Sequence, residues 1–263
     1  MNNFRFNSIT QNKVRIFLVI ILCLFLLPVS AQDEPTDAKN WEFNITPYLL
    51  FPTMNGNVVI RGIPVDVNAS TDDIFSNLNF GAMLYFEASS PKWALVFDLL
   101  YMDLSKEGQT PLASRNASVG ADQLMTSISG RYRITEWLDV GIGGRLNSIG
   151  SSVKIAAGEY ILPGTDFSMN ETWFDPIIVA RAMTKFNDSK WRLGLSADIG
   201  GFGIGSDFAW QIHPFAGYQF TKLFQLGFSY RWLGMNYETG SGTDRFLYDV
   251  TTSGPELKLS FHF

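Results

Sequence analysis

The sequence predicts an all-β chain that closes into an antiparallel transmembrane β-barrel of about ten strands. Three observations carry this. Polarity alternates with a period of two in ten segments, short and long connections alternate between them, and ionised residues collect on one parity of each segment while the other stays apolar. With 263 residues, 46% hydrophobic and 14% aromatic, the chain is able to bury a sizeable core and is too apolar for disorder. Lys and Arg total 20 against 25 Asp and Glu, a net charge of −5, which argues against nucleic acid as a partner.

The first 31 residues carry Arg5, Lys13 and Arg15 and no acid, then the apolar run Ile16 to Leu27, Pro28, and Val29-Ser30-Ala31. This is the pattern of a secretory signal peptide cleaved before Gln32, since a relaxed spanning helix needs about 20 apolar residues and this run is shorter. Cys23 lies inside the run and leaves with it, so the mature chain relies on hydrogen bonds and burial in place of disulfides. Residues 32–40, QDEPTDAKN, read as a polar linker, and the barrel domain as 41–263.

Strands are expected at 41–51, 79–89, 93–104, 119–134, 137–149, 173–186, 191–201, 208–220, 224–237 and 254–263. In 93–102, Trp93, Leu95, Phe97, Leu99 and Tyr101 share one face, with Asp98 on the other. Short turns at 90–92, 135–136, 187–190 and 221–223 alternate with the connections 52–78, 105–118, 150–172, 202–207 and 238–253, as inner turns and outer loops do in membrane barrels. Within 52–78, Gly56 to Asn68 suggests an extra hairpin. Ser70 to Leu78 suggests a short helix with Ser70 as N-cap and Asp72 and Asp73 in its first turn.

Sorting by parity places Phe86, Leu95, Phe97, Ile128, Ile142, Phe174, Ile178, Leu195, Ile212, Phe228, Trp232 and Leu257 on one side, with Asp103 and Asp122 only at strand ends. The other side holds the residues expected to line the lumen: Glu42, Glu87, Asp98, Arg131, Arg133, Asp139, Arg145, Asp175, Arg181, Lys185, Arg192, Asp198, His213, Arg231, Glu256 and Lys258. Hydrocarbon demands the apolar side outward, because a mid-bilayer Arg or Lys costs roughly 2–4 kcal/mol. A soluble exported barrel that binds an apolar ligand would invert the arrangement, and periodicity alone leaves both open. Trp93, Trp191, Phe224, Tyr132, Phe186 and Phe220 flank the short turns and form a candidate girdle, from which Trp137 is excluded by parity.

The C-terminal Phe261-His262-Phe263 resembles the terminal signature of bacterial outer-membrane barrels, which implies barrel-assembly machinery as a partner beside outer-membrane lipid. The stretch Asp198 to Gln211, DIGGFGIGSDFAWQ, with Asp175-Pro176, Gly217-Tyr218 and Tyr230-Arg231, resembles a largely uncharacterised family of bacterial outer-membrane β-barrel proteins. Trp41, Pro47-Tyr48-Leu49 and Gly56 match the way such chains open. The resemblance implies fold and outer-membrane location, and transfers no catalytic residue.

Ten strands leave little free bore, so two lumen readings stand: a structural ion-pair network of mixed sign that plugs the barrel, or a narrow conduit for ions or small solutes. An enzyme is not expected. A membrane-embedded hydrolase would have to be built around His213 or His262, and Asp207 is about 20 Å along the strand from His213 at ~3.3 Å per residue. No spacing suggests zinc, Asp72-Asp73 read as helix caps rather than calcium ligands, and no cofactor is expected. Gly200 to Gly205 precedes a strand instead of a helix, so it reads as a tight hairpin rather than a nucleotide loop.

Overall fold

A computed structural model describes residues 41–109, 116–155, 165–185 and 189–263, without the side chains of 109, 155, 165 and 185. The leader, the linker, Phe186 and parts of the connections 105–118, 150–172 and 187–190 lie outside the described residues. The strands are β1 (Glu42–Leu50), β2 (Thr53–Ile60), β3 (Ile63–Ala69), β4 (Leu78–Ser89), β5 (Trp93–Gln109), β6 (Asn116–Arg133), β7 (Leu138–Ile155), β8 (Thr165–Lys185), β9 (Trp191–Gly200), β10 (Phe208–Gln219), β11 (Phe224–Thr239) and β12 (Phe246–His262), with helix α1 (Thr71–Ser76) between β3 and β4. Antiparallel pairing runs β1-β4-β5 and onward in order to β12, which pairs back with β1 and closes a ten-stranded barrel. No helix among the described residues is long and apolar enough to cross a membrane, and the strands supply the crossing.

Outward faces are apolar as parity requires: Ile142 is 72% exposed, Phe228 58% and Leu195 45%. The inverse arrangement of a soluble barrel is therefore not the one this chain adopts. Exposed and half-buried aromatics form edge and tilted contacts around the short-turn rim, with Trp93–Tyr132 at 4.9 Å, Trp191–Tyr218 at 5.1 Å and Phe224–Phe261 at 5.7 Å. Trp137 corrects the parity argument. It sits in the turn before β7, where strand parity does not apply, and it is exposed at the same rim.

Several strands outrun their expected bounds, β8 and β12 by the most: β8 begins at Thr165, not 173, and β12 at Phe246, not 254. The physical reason is a change of phase. Along β12, Leu257, Leu259 and Phe261 point outward and Glu256 inward, but from Thr252 back to Phe246 the apolar Val250, Tyr248 and Phe246 point inward and Asp249 is exposed. β11 does the same: Phe228 and Trp232 point outward beside inward Arg231, and then Leu233 and Met235 turn inward. Above the hydrocarbon the outer face meets water, so the interior takes the apolar residues there. β8, at 21 residues, exceeds the ~9–11 that a tilted strand needs to cross. The inward cluster of Leu50, Leu100, Met125, Trp173, Leu233, Met235, Phe246 and Tyr248 fills the upper bore, with Trp173 stacked on Tyr237 at 4.3 Å.

The connection 52–78 is built into the wall. β2 continues the register of β1 along β12, from Asn44↔His262 through Leu50↔Glu256 to Val59↔Leu247. On its other side β1 pairs with β4 but β2 pairs with β3, and β3 has no strand partner beyond it among the described residues. Helix α1 occupies this seam. Its N-cap Ser70 completes a capping box with Asp73, Ile74 is buried, and Phe75 stacks on Phe51 at 5.3 Å. The side opposite β3 is tied by Ser105 N–H donating to Asn77 O at 2.8 Å.

Candidate functional site

The lumen below the apolar cluster has two tiers. In the upper tier Arg231, 1% exposed at its side chain, donates to Asp98 Oδ2 at 2.9 Å and Glu256 Oε1 at 2.5 Å. Tyr48 O–H donates to Asp98 at 2.8 Å. Glu256 also accepts from Ser229 at 2.7 Å, pairs with Lys258 at 3.1 Å, and lies 2.8 Å from His213 Nε2. β1, β5, β10, β11 and β12 each contribute, so this one knot ties distant strands across the bore. Beside it Arg145 Nη2 holds Asp198 at 2.7 Å, both nearly fully buried.

Asp175 has a different task from the lumen pairing expected of it: it anchors a loop. Its Oδ1 accepts the Ser206 N–H at 2.6 Å, and its Oδ2 accepts Ser206 Oγ at 3.0 Å and Asn147 Nδ2 at 2.8 Å. Trp173 Nε1 donates to Ser206 Oγ at 2.9 Å. Gly205 passes so close to β8 that a Cβ there would lie 2.2 Å from Phe174 O, and Gly201, Phe202 and Gly203 adopt positive φ. The glycine-rich stretch is thus a tight connection locked to the β8 backbone.

The lower tier is a cup of about 370 Å³ whose lining includes the short-turn residues Ser89, Ser90 and Pro91. Arg181 forks onto Glu87 at 2.6 and 3.1 Å and meets Asp139 at 2.5 Å, and Arg133 takes the other Asp139 oxygen at 3.1 Å. Tyr85 O–H donates to Glu87. Glu42 and Arg192 stand at the cup, Glu42 exposed and Arg192 half-buried, and Lys258 lines it while reaching His213 Nε2 at 3.1 Å. Arg131 is 7% exposed and lines the cup, yet its Nε is buried without a partner and no carboxylate among the described residues lies within ion-pair distance. The Lys185 side chain lies outside the described residues. Val96, Val179, Met183 and Phe215 give the cup an apolar share that sorting by charge did not reveal, because these residues share parity with Arg181 and His213.

No group of three or more His, Cys, Asp or Glu among the described residues is placed to hold a metal ion. Ser229 donates to Glu256 and not to His213, and among the described residues the imidazole Nε2 meets Glu256 and Lys258 rather than a hydroxyl.

No family model and no curated protein matches the chain. Among solved structures it is similar to Ail, the attachment invasion locus protein of Yersinia pestis, at 12% identity over 85% of this chain and 98% of that one, with a TM-score of 0.36. It is similar to the outer membrane protease OmpT from Escherichia coli at 10% identity over 88% and 99%, with a TM-score of 0.46. The Pseudomonas putida toluene transporter TodX aligns at 9% identity over 86% and 90%, with a TM-score of 0.37. Likenesses at this level transfer no activity. From its closed hydrogen-bonded wall, its outward apolar belt with an aromatic rim and its enclosed charges, the chain is an outer-membrane β-barrel.

Proposed function

We propose that this protein is a plugged, non-catalytic outer-membrane barrel, with a structural ion-pair lumen and no standing conduit for ions. One observation carries this reading: the bore above the cup is filled first by the Arg231–Asp98–Glu256 knot and then by the buried apolar cluster around Trp173, Met235 and Phe246. An ion crossing both tiers would have to break a desolvated pair and then pass apolar side chains without hydration. Outer-membrane lipid meets the apolar belt, and the C-terminal Phe261-His262-Phe263 supports barrel-assembly machinery as the partner during insertion. The Asp175–Ser206 lock gives a structural task to residues that carry the resemblance to the uncharacterised outer-membrane family, which supports placing the chain there.

Planar-bilayer recording tests the proposal. The wild-type protein is expected to give no steady single-channel steps, and R231M combined with W173A is expected to give them. Steady steps from the wild type would overturn the plugged reading in favour of a conduit.

A further inference from the structure

We propose that the cup at the short-turn end is a binding site for a small organic anion, a carboxylate on a compact apolar body, with Arg131 as the residue that takes the carboxylate. The first observation is the state of the charges. Glu87 is held by Arg181, Asp98 by Arg231 and Asp198 by Arg145, so the enclosed carboxylates that line the cup are neutralised by guanidinium groups. Arg131 is the counter-example. It is buried, it faces the cup, its Nε has no acceptor, and it has no carboxylate partner among the described residues. Arg131 feels Glu87 only at longer range, and the Arg181 fork already occupies that carboxylate, so the planar fork of Arg131, which matches a carboxylate, is left without a direct ion-pair partner of its own.

The second observation is the cavity. At about 370 Å³ it falls at the lower end of the range for small-molecule sites, with room for a ring or a short chain. Ser127 and Ser129, inward neighbours of Arg131 along β6, keep that wall low. Val96, Val179, Met183 and Phe215 supply the apolar contacts that a simple inorganic ion has no use for. Arg145, the other lumen arginine with unpaired nitrogens, is not a rival, since it already holds Asp198 and does not line the cup. The cup is entered from the short-turn end, so binding there is independent of whether the barrel conducts.

The test is calorimetric titration of the full-length protein, folded into lipid nanodiscs, with benzoate, its neutral isostere benzamide, and inorganic phosphate. Benzoate is expected to bind saturably, with benzamide and phosphate each at least about ten-fold weaker, as loss of one charge-assisted contact or of the apolar wall implies. R131Q is expected to weaken benzoate about ten-fold or more, and R131K to restore part of that loss, with folding of each variant checked by its heat-modifiable gel mobility. The benzamide comparison uses the wild-type chain and stands even if R131Q fails to fold. No saturable benzoate binding at millimolar concentration, equal affinity for benzamide, or unchanged affinity in folded R131Q would overturn the site. Phosphate binding as tightly as benzoate would overturn the organic-anion assignment.

Discussion

Replacing Arg231 with methionine removes a cation that is 1% exposed from between two buried carboxylates. Breaking a buried pair from one side costs roughly 3–5 kcal/mol, because the partner keeps its charge and loses its compensation. The two carboxylates do not share this loss equally. Glu256 keeps Lys258 at 3.1 Å, Ser229 at 2.7 Å and His213 at 2.8 Å, whereas Asp98 keeps only the Tyr48 hydroxyl at 2.8 Å among its described contacts. Most of the loss therefore falls at Asp98, and about 3–4 kcal/mol is expected. Neutralising that acid as well, in R231M/D98N, is expected to recover on the order of 1–2 kcal/mol, since a neutral amide is far less costly to bury unpaired. Urea unfolding of the barrel in lipid vesicles, followed by tryptophan fluorescence and gel mobility, measures both. A loss below about 1 kcal/mol for R231M is the value for a solvated surface pair and would refute a dry knot. No recovery in the double variant would refute the assignment of the loss to Asp98.

The sidedness of the wall predicts that L195R, on the outward belt, costs about 2–4 kcal/mol in vesicle unfolding, while T251R, outward but above the phase change, stays within about 0.5 kcal/mol. Equal effects would mean that the hydrocarbon boundary lies elsewhere. D175A strips Ser206 and Asn147 of their acceptor and is expected to cost at least about 2 kcal/mol, and G205A, whose Cβ would lie 2.2 Å from Phe174 O, about 1–3 kcal/mol. Both are expected to raise hydrogen exchange at 201–207, and unchanged protection in D175A would refute the lock. The Asp73 carboxyl is held below its ordinary range by the Ser70 hydroxyl and N–H that donate to it. Its contribution to α1 is therefore complete above the unfolded value near ~3.9 and lost as pH falls through the lower folded value. Amide protection in α1 is expected to be flat from neutral pH to about pH 5 and to fall in more acidic solution, and D73N is expected to abolish that fall.

Much of the lower half of this molecule was legible because two environments of opposite polarity face each strand there. Phe228 and Leu257 against Arg231 and Glu256 leave no choice of face. The upper half was harder for a physical reason: once the outer face meets water the alternation reverses, and Phe246-Leu-Tyr-Asp-Val250 reads as a loop to anyone following the lipid-facing phase. The reversal itself was the missing signal, since a strand whose apolar parity switches midway marks the membrane surface. The partners of the lumen charges were not legible, because pairs such as Arg231–Asp98 and Arg181–Glu87 join residues 133 and 94 positions apart on strands whose register no local pattern fixes. Arg131 looked like any other interior base in the sequence, and only its surroundings separate it from Arg181.

The seam between β3 and the upper part of β5 gives the cylinder unequal ends. Near the short turns every strand is laced to two neighbours, and that hoop resists ovalisation in all directions. Toward the opposite end the lacing stops at one place, where Leu49 is 42% exposed beside a pocket of about 100 Å³ under Ile74 and Phe75. Lateral pressure from the surrounding lipid is therefore borne there without a strand ladder, by side-chain packing and isolated hydrogen bonds such as Ser105 N–H to Asn77 O, and the wall has one built-in line of compliance that runs from the outer rim down to Pro47, where the pairing of β1 with β4 ends.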